Sequence, residues 1–353
     1  MQHSSHRIEL HTLPARFWKW RMRGAALHFA RAVAAPEDCD LLLVTDLMGV
    51  ADLKALWGAR CPPIVLYLHE NQLSYPVPAG ERMDFQFGFT DIASALAADA
   101  LVFNSHYHHD AYFAALPRFL RRMPEHVPRW IPAALEPKAR VLYPGCRLPR
   151  SVVKQESRPG PAACATVRAT SAATPPLVIW NHRWEFDKQP AVFFAALRQA
   201  QETGVAFRVA LLGENFQVVP QEFEVARGWL GERLVQYGYV PSRDAYWELL
   251  RRGAVVVSTA IQENFGISVV EAVAAGNHPL LPRRLSYPEV IPAAYHDACL
   301  YADDAALTEM LIRLLAAPPV AAPRGLAAAM ERYSWSSLAA AYDALFAEYG
   351  RTR

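Results

Sequence analysis

The chain has 353 residues, 52% hydrophobic and 20% charged, with mean hydropathy +0.02; that is globular composition and excludes a wholly disordered, fibrous or collagen-like chain. One hydrophobic core rarely serves so many residues, so two domains are expected. The net charge of +2 is too small by itself to argue for nucleic acid, but it is uneven: residues 1–150 carry +3 and 9 of the 12 histidines, the remainder −1.

In chain order, a helix is expected over Trp20–Ala34, strands at Cys39–Thr45 and Ile64–His69, and a helix over Gly88–Ala98. A strand at Ala100–Phe103, a helix over Ser105–Leu116 and a strand at Arg140–Leu142 come next. Pro117, Pro124, Pro128 and Pro132 are expected to break the stretch after Leu116 into an irregular loop. Between Pro149 and Pro176 the chain is rich in Pro, Ala, Ser and Thr without apolar period, and reads as a linker over residues 150–176. Beyond it, Leu177–Trp180, Phe207–Leu212, Leu234–Tyr239, Ala254–Thr259 and His278–Leu281 are short apolar runs suited to buried parallel strands. Helical stretches lie between them at Pro190–Glu202, Gln221–Gly231, Arg243–Arg252 and Phe265–Ala275. Gly325–Tyr349, rich in Ala and Leu, reads as one long helix closing the second half. Strand–helix alternation predicts an α/β fold of two doubly wound, Rossmann-like domains facing a cleft, residues 1–149 and 177–353, with sites at the strands' C-terminal ends.

No apolar run approaches 18 residues, and Met1–His11 has no apolar signal region, so no membrane association or secretory leader is expected. Cys39, Cys61, Cys146, Cys164 and Cys299 are odd in number, scattered and without a CxxC pair, which reads as reduced, cytoplasmic thiols.

The densest chemistry lies in Ser258–Glu271: an apolar strand, a polar loop, a glycine, then a helix. A helix beginning at Asn264, Phe265, Gly266 and Ile267 offers unpaired N–H groups and the positive end of its dipole to an anion. Glu271 lies one to two turns into that helix and leans back toward its start, while Glu263 would meet the same ligand from the loop. The plain alternative is a solvated loop Glu and a surface helix Glu. A second group, Arg183 and Lys188, leaves the first strand of the second half and enters a helix at Pro190. Arg offers bidentate bonds to phosphate oxygens and Lys a mobile charge. Here the alternative is a surface ion-pair cluster with Glu185 and Asp187.

His106, His108 and His109 open a predicted helix, with Ser105 as its N-cap. Only His106 and His109 share a face, which leaves a zinc site short of a third ligand; structural or RNA-facing roles are preferred. Two segments have the composition for RNA contact. Arg16, Lys19, Arg21, Arg23 and Arg31 interleave with Phe17, Trp18 and Trp20 without an acid, and Arg118, Arg121, Arg122 and Arg129 stand against Glu125 alone. Splayed bases stack on aromatic and guanidinium planes; an amphipathic helix with solvated arginines is the alternative for the first segment.

Glu263-x7-Glu271 with Arg183 and Lys188 resembles the nucleotide-sugar site of family-four-type retaining GT-B glycosyltransferases. More closely, Thr12–Gly24, Tyr67–Pro76, Asp84–Gly88, Ala97–Ser105 and Trp180–Lys188 resemble the tRNA-queuosine α-mannosyltransferase family, with His-Glu-Asn-Gln and Asn-His-Arg-Trp-Glu as its specific runs. Members of that family open with a strand, a glycine-rich turn and a helix before the Thr-Leu-Pro segment; only eleven residues precede Thr12 here, so the expectation is either a start placed too far downstream or a first domain without that element.

The resemblance implies GT-B architecture and transfer of mannose, with retention, from GDP-mannose to the cyclopentenediol of queuosine in tRNA, tRNA-Asp among them. It implies that Arg183 and Lys188 hold the diphosphate, Glu271 the ribose, and Glu263 with the Asn264–Ile267 backbone the mannose. His69 would face the transferred sugar across the cleft; its neighbours Glu70, Asn71 and Gln72 favour that over an ordinary strand-end histidine. No Asp-x-Asp occurs, so no metal or other cofactor is expected, and no protein partner. With no second carboxylate placed as nucleophile, front-face displacement is expected. A lipid or saccharide acceptor, or a non-catalytic tRNA-binding protein of the same fold, are the rival readings.

Overall fold

The structure, a computed structural model, describes residues 3–14, 16–78, 80, 82–148, 174–213 and 219–351. It divides into two compact units, one of residues up to Gly145 together with those from Trp335 onward, the other Cys146–Ser334. The expected linker lies outside the described residues except at 174–176.

The first unit contains α1 (Trp18–Ala32), β1 (Leu42–Thr45), α2 (Val50–Trp57), β2 (Ile64–Leu68), α3 (Phe85–Ala97), β3 (Ala100–Phe103), α4 (His106–Leu120), α5 (Ile131–Leu135) and β4 (Ala139–Val141). The strands form a parallel sheet in the order β1-β2-β3-β4. Alternation along β2 explains its layers. Ile64, Leu66 and Leu68 join the core built with α1–α4, whereas Val65 and Tyr67 point to the other face, with Ala100 and Val102 of β3. That second face also needs a cover, since parallel sheets are stable with both faces buried.

Two expectations about α4 and α3 are corrected. α4 runs through Pro117 to Leu120, so Arg118 sits on its last turn and not in a loop; the burial of Leu116, Phe119 and Leu120 holds that turn although proline removes one helical bond. α3 begins three residues before the expected start because the Asp84 side chain accepts from Gln86 N–H and caps it. α2 and α5 were not expected, although Val50, Leu53 and Trp57 of α2 stand at helical i, i+3, i+7 spacing.

The second unit contains β5 (Leu177–Asn181), α6 (Pro190–Glu202), β6 (Arg208–Leu212), α7 (Gln221–Leu230), β7 (Leu234–Tyr237), α8 (Arg243–Arg252), β8 (Val255–Val257), α9 (Ile267–Ala274), β9 (His278–Pro282), β10 (Leu300–Tyr301) and α10 (Asp304–Ala316). Its parallel sheet has the order β10-β9-β8-β5-β6-β7. Strand order reverses between β5 and β8, the position where open α/β sheets bind ligands at their C-terminal edge.

The single closing helix expected over Gly325–Tyr349 is corrected in two ways. It is interrupted at Ser334, whose backbone is extended and bridges to Cys146. The helix beyond that break, α11 (Trp335–Tyr349), packs on the first unit: Tyr342 and Leu345 cover the second face of β2 and β3, and the Tyr342 hydroxyl donates to Tyr143 O at 2.9 Å. The missing cover and the returning helix answer one another. Tyr342→Ala should therefore cost the first unit about 3–5 kcal/mol, read from denaturant unfolding; a change under about 1 kcal/mol would mean that this face does not depend on α11.

Candidate active site

Two loops leave the sheet at the order reversal, residues 182–189 after β5 and 258–266 after β8. They are stitched together by backbone carbonyls. Ile261 N–H donates to Asp187 O at 2.8 Å, and Thr259 Oγ1 donates to Lys188 O at 2.7 Å. Lys188 is buried between them. Its Nζ donates to Gln262 O at 2.6 Å and lies 3.1 Å from Asp187 Oδ2 and 3.4 Å from Glu263 Oε2. Burial alone would lower the Lys188 pKa, but Glu263 and Asp187 outweigh it and the net shift is upward. Burial would likewise raise Glu263, but Lys188, His182 and the Phe265 N–H bring it below the usual carboxylate range. Both partners are thus ionised. His182 beside them is buried and pushed down to about 4, by burial first and then by Lys188, so it is neutral.

Glycine is required at two points here. Gly266, which precedes α9, has φ 91°, a left-handed conformation that side chains other than glycine rarely adopt. Gly213, after β6, has φ 136°, and a Cβ there would overlap the His182 carbonyl. At the start of α9, Asn264 is buried and accepts from Gln262 Nε2 at 3.2 Å. Phe265 is buried against Tyr333, its N–H bonds the Glu263 carboxylate, and Ile267 opens the helix. The loop is braced from behind by Ser286, which donates to Phe265 O at 3.1 Å, and by Tyr287, whose hydroxyl lies 2.6 Å from Ser258 Oγ.

Glu271 is held apart from that pair. Its Oε1 lies 3.3 Å from Arg243 Nη2 and its Oε2 accepts from Tyr246 OH at 3.1 Å. Burial raises its pKa above the ordinary value, opposed by Arg243. Each carboxylate oxygen still has a lone pair for a hydroxyl. Arg243 and Tyr246 lie on α8 and escaped the sequence reading; a helical i, i+3 pair carries no sign of the carboxylate it will meet. Arg183 differs from Lys188: it is half-exposed and pairs with Glu185 Oε2 at 3.2 Å. Its loop is fixed by Trp184, which stacks on Phe223 at 4.0 Å.

In the first unit, three adjacent strands end in Asp46, His69 and Asn104. His69 Nδ1 lies 3.1 Å from Asp46 Oδ1, and Asp46 Oδ2 accepts the Glu70 N–H at 3.1 Å. Burial would lower the His69 pKa, but the Asp46 hydrogen bond and charge turn the shift upward. Asn104 Nδ2 donates to His69 O at 2.9 Å, and its Oδ1 lies 2.8 Å from Nδ1 of buried His108. His108 is therefore a core histidine, His106 is exposed, and His109 lies 2.9 Å from Asp110. Asp46 was not singled out in the sequence, because nothing in Thr45-Asp46-Leu47 announces a histidine 23 residues later. Among the described residues no three His, Cys, Asp or Glu side chains gather as a metal set, and no helix is long and apolar enough to cross a membrane.

Of the RNA-contact candidates, Arg21 and Arg23 are on α1 and Arg118 on α4, while Arg16 precedes α1 and Arg121, Arg122 and Arg129 follow α4. Arg16 and Arg23 are exposed at α1, whereas Arg21 folds back, its Nη2 donating to Pro14 O at 3.5 Å. Arg118, Arg121, Arg122 and Arg129 are all exposed.

Two parallel-sheet α/β units, with a cation–carboxylate site at the order reversal of the second, define the GT-B class of glycosyltransferases. Solved structures of that class are similar in fold: sucrose-phosphate synthase from Thermosynechococcus elongatus (TM-score 0.65, 18% identity, 96% of this chain and 80% of that one) and the UDP-forming α,α-trehalose-phosphate synthase from Burkholderia vietnamiensis (0.61, 17%, 95% and 79%). Residues 167–332 match the glycosyl transferases group 1 family. Residues 1–146 match the tRNA-queuosine α-mannosyltransferase N-terminal family, and a Drosophila melanogaster tRNA-queuosine α-mannosyltransferase is 36% identical over 88% of this chain and 80% of its own length. The chain belongs to the tRNA-queuosine α-mannosyltransferase family and is a glycosyltransferase.

The contrast between the two cations is testable. Lys188→Met leaves two buried carboxylates uncompensated and should cost about 3–5 kcal/mol of stability, with turnover down by about two to three orders of magnitude. Arg183→Ala should lose turnover on that scale while stability changes by less than about 1 kcal/mol; paired denaturation and rate measurements decide. In Asp46→Asn the main cause raising His69 is removed, so the His69 ring titration followed by NMR should move to lower pH. An unmoved midpoint would dissolve the Asp46–His69 pairing.

Proposed function

We propose that this enzyme transfers mannose from GDP-mannose, with retained anomeric configuration, to the cyclopentenediol of queuosine in tRNA, tRNA-Asp being the expected species and the cytoplasm the compartment. The observation that carries the donor half is the Lys188–Glu263 pair. Of the three N–H donors of lysine, Gln262 O and Glu263 Oε2 accept two, Glu263 at the longer distance, and Asp187 Oδ2 lies 3.1 Å away as an ion-pair partner. A diphosphate arriving at Lys188 displaces Glu263, and the released carboxylate turns to the mannose hydroxyls. Arg183 adds a second, solvent-facing cation, and Glu271 accepts from the ribose hydroxyls while Arg243 and Tyr246 hold it in place. The acceptor half is supported by family membership and the Drosophila relative's name.

In this reaction the C1–O bond to the β-phosphate breaks, its electrons leaving with GDP, and a C1–O bond to a queuosine hydroxyl forms on the same face. The hydroxyl proton passes to the departing phosphate oxygen. Charge grows on that oxygen in the transition state, where preformed cations and the N–H groups at the start of α9 oppose it without reorganising. Arg183 and Lys188 bring the positive charge the leaving group needs, so the reading assigns no metal. His69, kept more basic by Asp46, is assigned to the transferred sugar.

The test is incubation of the protein with queuosine-containing tRNA and a panel of sugar nucleotides, with the mass of the modified nucleoside as readout. A gain of one hexose from GDP-mannose alone is expected; gain from another donor, or with tRNA lacking queuosine, would overturn the assignment.

A further inference from the structure

We infer that the N-terminal turns of α1 and α3 and the end of α4 form one RNA-docking surface, on which unpaired cations hold phosphates and exposed aromatic rings stack unpaired bases. The inference rests on the proposed function for its partner and adds where that partner binds. Residues about a hundred positions apart meet across α3. Arg23 Nη2 donates to Gln86 Oε1 at 3.4 Å, and its guanidinium lies 5.6 Å from the Phe87 ring centre. From the other side, the Arg122 guanidinium lies 5.3 Å from the Phe85 ring and its Nη1 3.1 Å from Met83 Sδ. Phe85 and Phe89 both pack on Phe119 of α4. The two basic segments are therefore one surface.

Its charge is uncommitted. Among the described residues, Arg16, Lys19, Arg23, Arg118, Arg121 and Arg122 form no ion pair with an acid, and neither does Arg129. Some exposed arginines elsewhere do pair, Arg60 with Glu37, Arg140 with Glu348 and Arg283 with Asp297. Of the described acids nearby, Asp84 caps α3 and Glu125 lies 3.7 Å from His126. The rings are also uncommitted. Trp20 is 77% exposed, Phe17 67% and Trp130 60%. Trp20 and Arg23, both within α1, stand at helical i, i+3 spacing, so ring and cation share a face. Large exposed rings beside unpaired cations suit a partner with both a phosphate backbone and splayed bases, which an anticodon arm presents.

The test separates charge from stacking. Binding of queuosine-containing tRNA is measured at several salt concentrations for wild type, for Arg16→Gln with Lys19→Gln and Arg23→Gln, for Arg118→Gln with Arg121→Gln and Arg122→Gln, and for Trp20→Ala. GDP binding and thermal unfolding serve as controls. Each lost phosphate contact should flatten the slope of log affinity against log salt by about 0.7–0.9, and both triple variants should flatten it. Trp20→Ala should weaken binding roughly 5- to 150-fold with the slope unchanged. Should the α4 triple unfold, the α1 triple and Trp20→Ala, all at exposed positions, decide. Steep wild-type salt dependence with superimposable variants overturns this surface and leaves the proposed function standing. Absence of salt-dependent tRNA binding by wild type overturns both, and loss confined to binding of anionic lipid vesicles would make this a membrane face and overturn the inference.

Discussion

A buried ammonium between two buried carboxylates is the constraint on which the second unit's site depends. Lys188, Asp187 and Glu263 cannot be separated cheaply, because each would leave an unpaired charge out of water. Asp187 and Lys188 belong to the loop after β5 and Glu263 to the loop after β8, so the ion pairs fix two strand ends against each other where the sheet order reverses. The carbonyl bonds from Thr259, Ile261 and Lys188 complete that junction. Gly266 and Gly213 are consequences of it: once the loops are drawn together, the chain has to turn with a positive φ at one and pass against the His182 carbonyl at the other.

The same economy of faces shapes the first unit. β2 is buried along its whole length, and its alternate residues serve two different cores. One is closed by α1–α4. The other is left for α11, which comes from the far end of the chain. Residues from Trp335 onward thus belong to a fold begun by α1, and the chain crosses between the units twice, at Gly145–Cys146 and Ser334–Trp335.

Much of this was legible because the chemistry is contiguous. Arg183 to Lys188 and Glu263 to Glu271 each lie in one strand–loop–helix junction, and α6 and α8 have the bounds that their apolar periods predict. What escaped were partners joined by strand order alone. Asp46 reaches His69 because β1 and β2 are neighbours. Arg243 and Tyr246 reach Glu271, and Ser286 and Tyr287 brace Glu263, through a tertiary packing that leaves no spacing in the chain. The destination of α11 was misread for a related reason. An Ala- and Leu-rich helix states that it has an apolar face, but not which sheet lacks a cover.

Arg183 and Lys188 show how far a motif carries. Five residues apart, they read as equivalent phosphate ligands, and the rival reading made them members of a surface ion-pair cluster. The ion pairs of the rival reading are present in the structure. Arg183 does pair with Glu185, at the surface, and Lys188 does pair with Asp187, in the interior. The difference lies in what each contact costs to exchange. An exposed pair is worth little and opens readily to a new anion, so Arg183 can change partners at little cost. A buried lysine already set between two carboxylates takes a phosphate by giving up a partner of the phosphate's own charge, and Glu263, at 3.4 Å, is the more distant of the two. In the proposed reading, arrival of the diphosphate at Lys188 and release of Glu263 are one event.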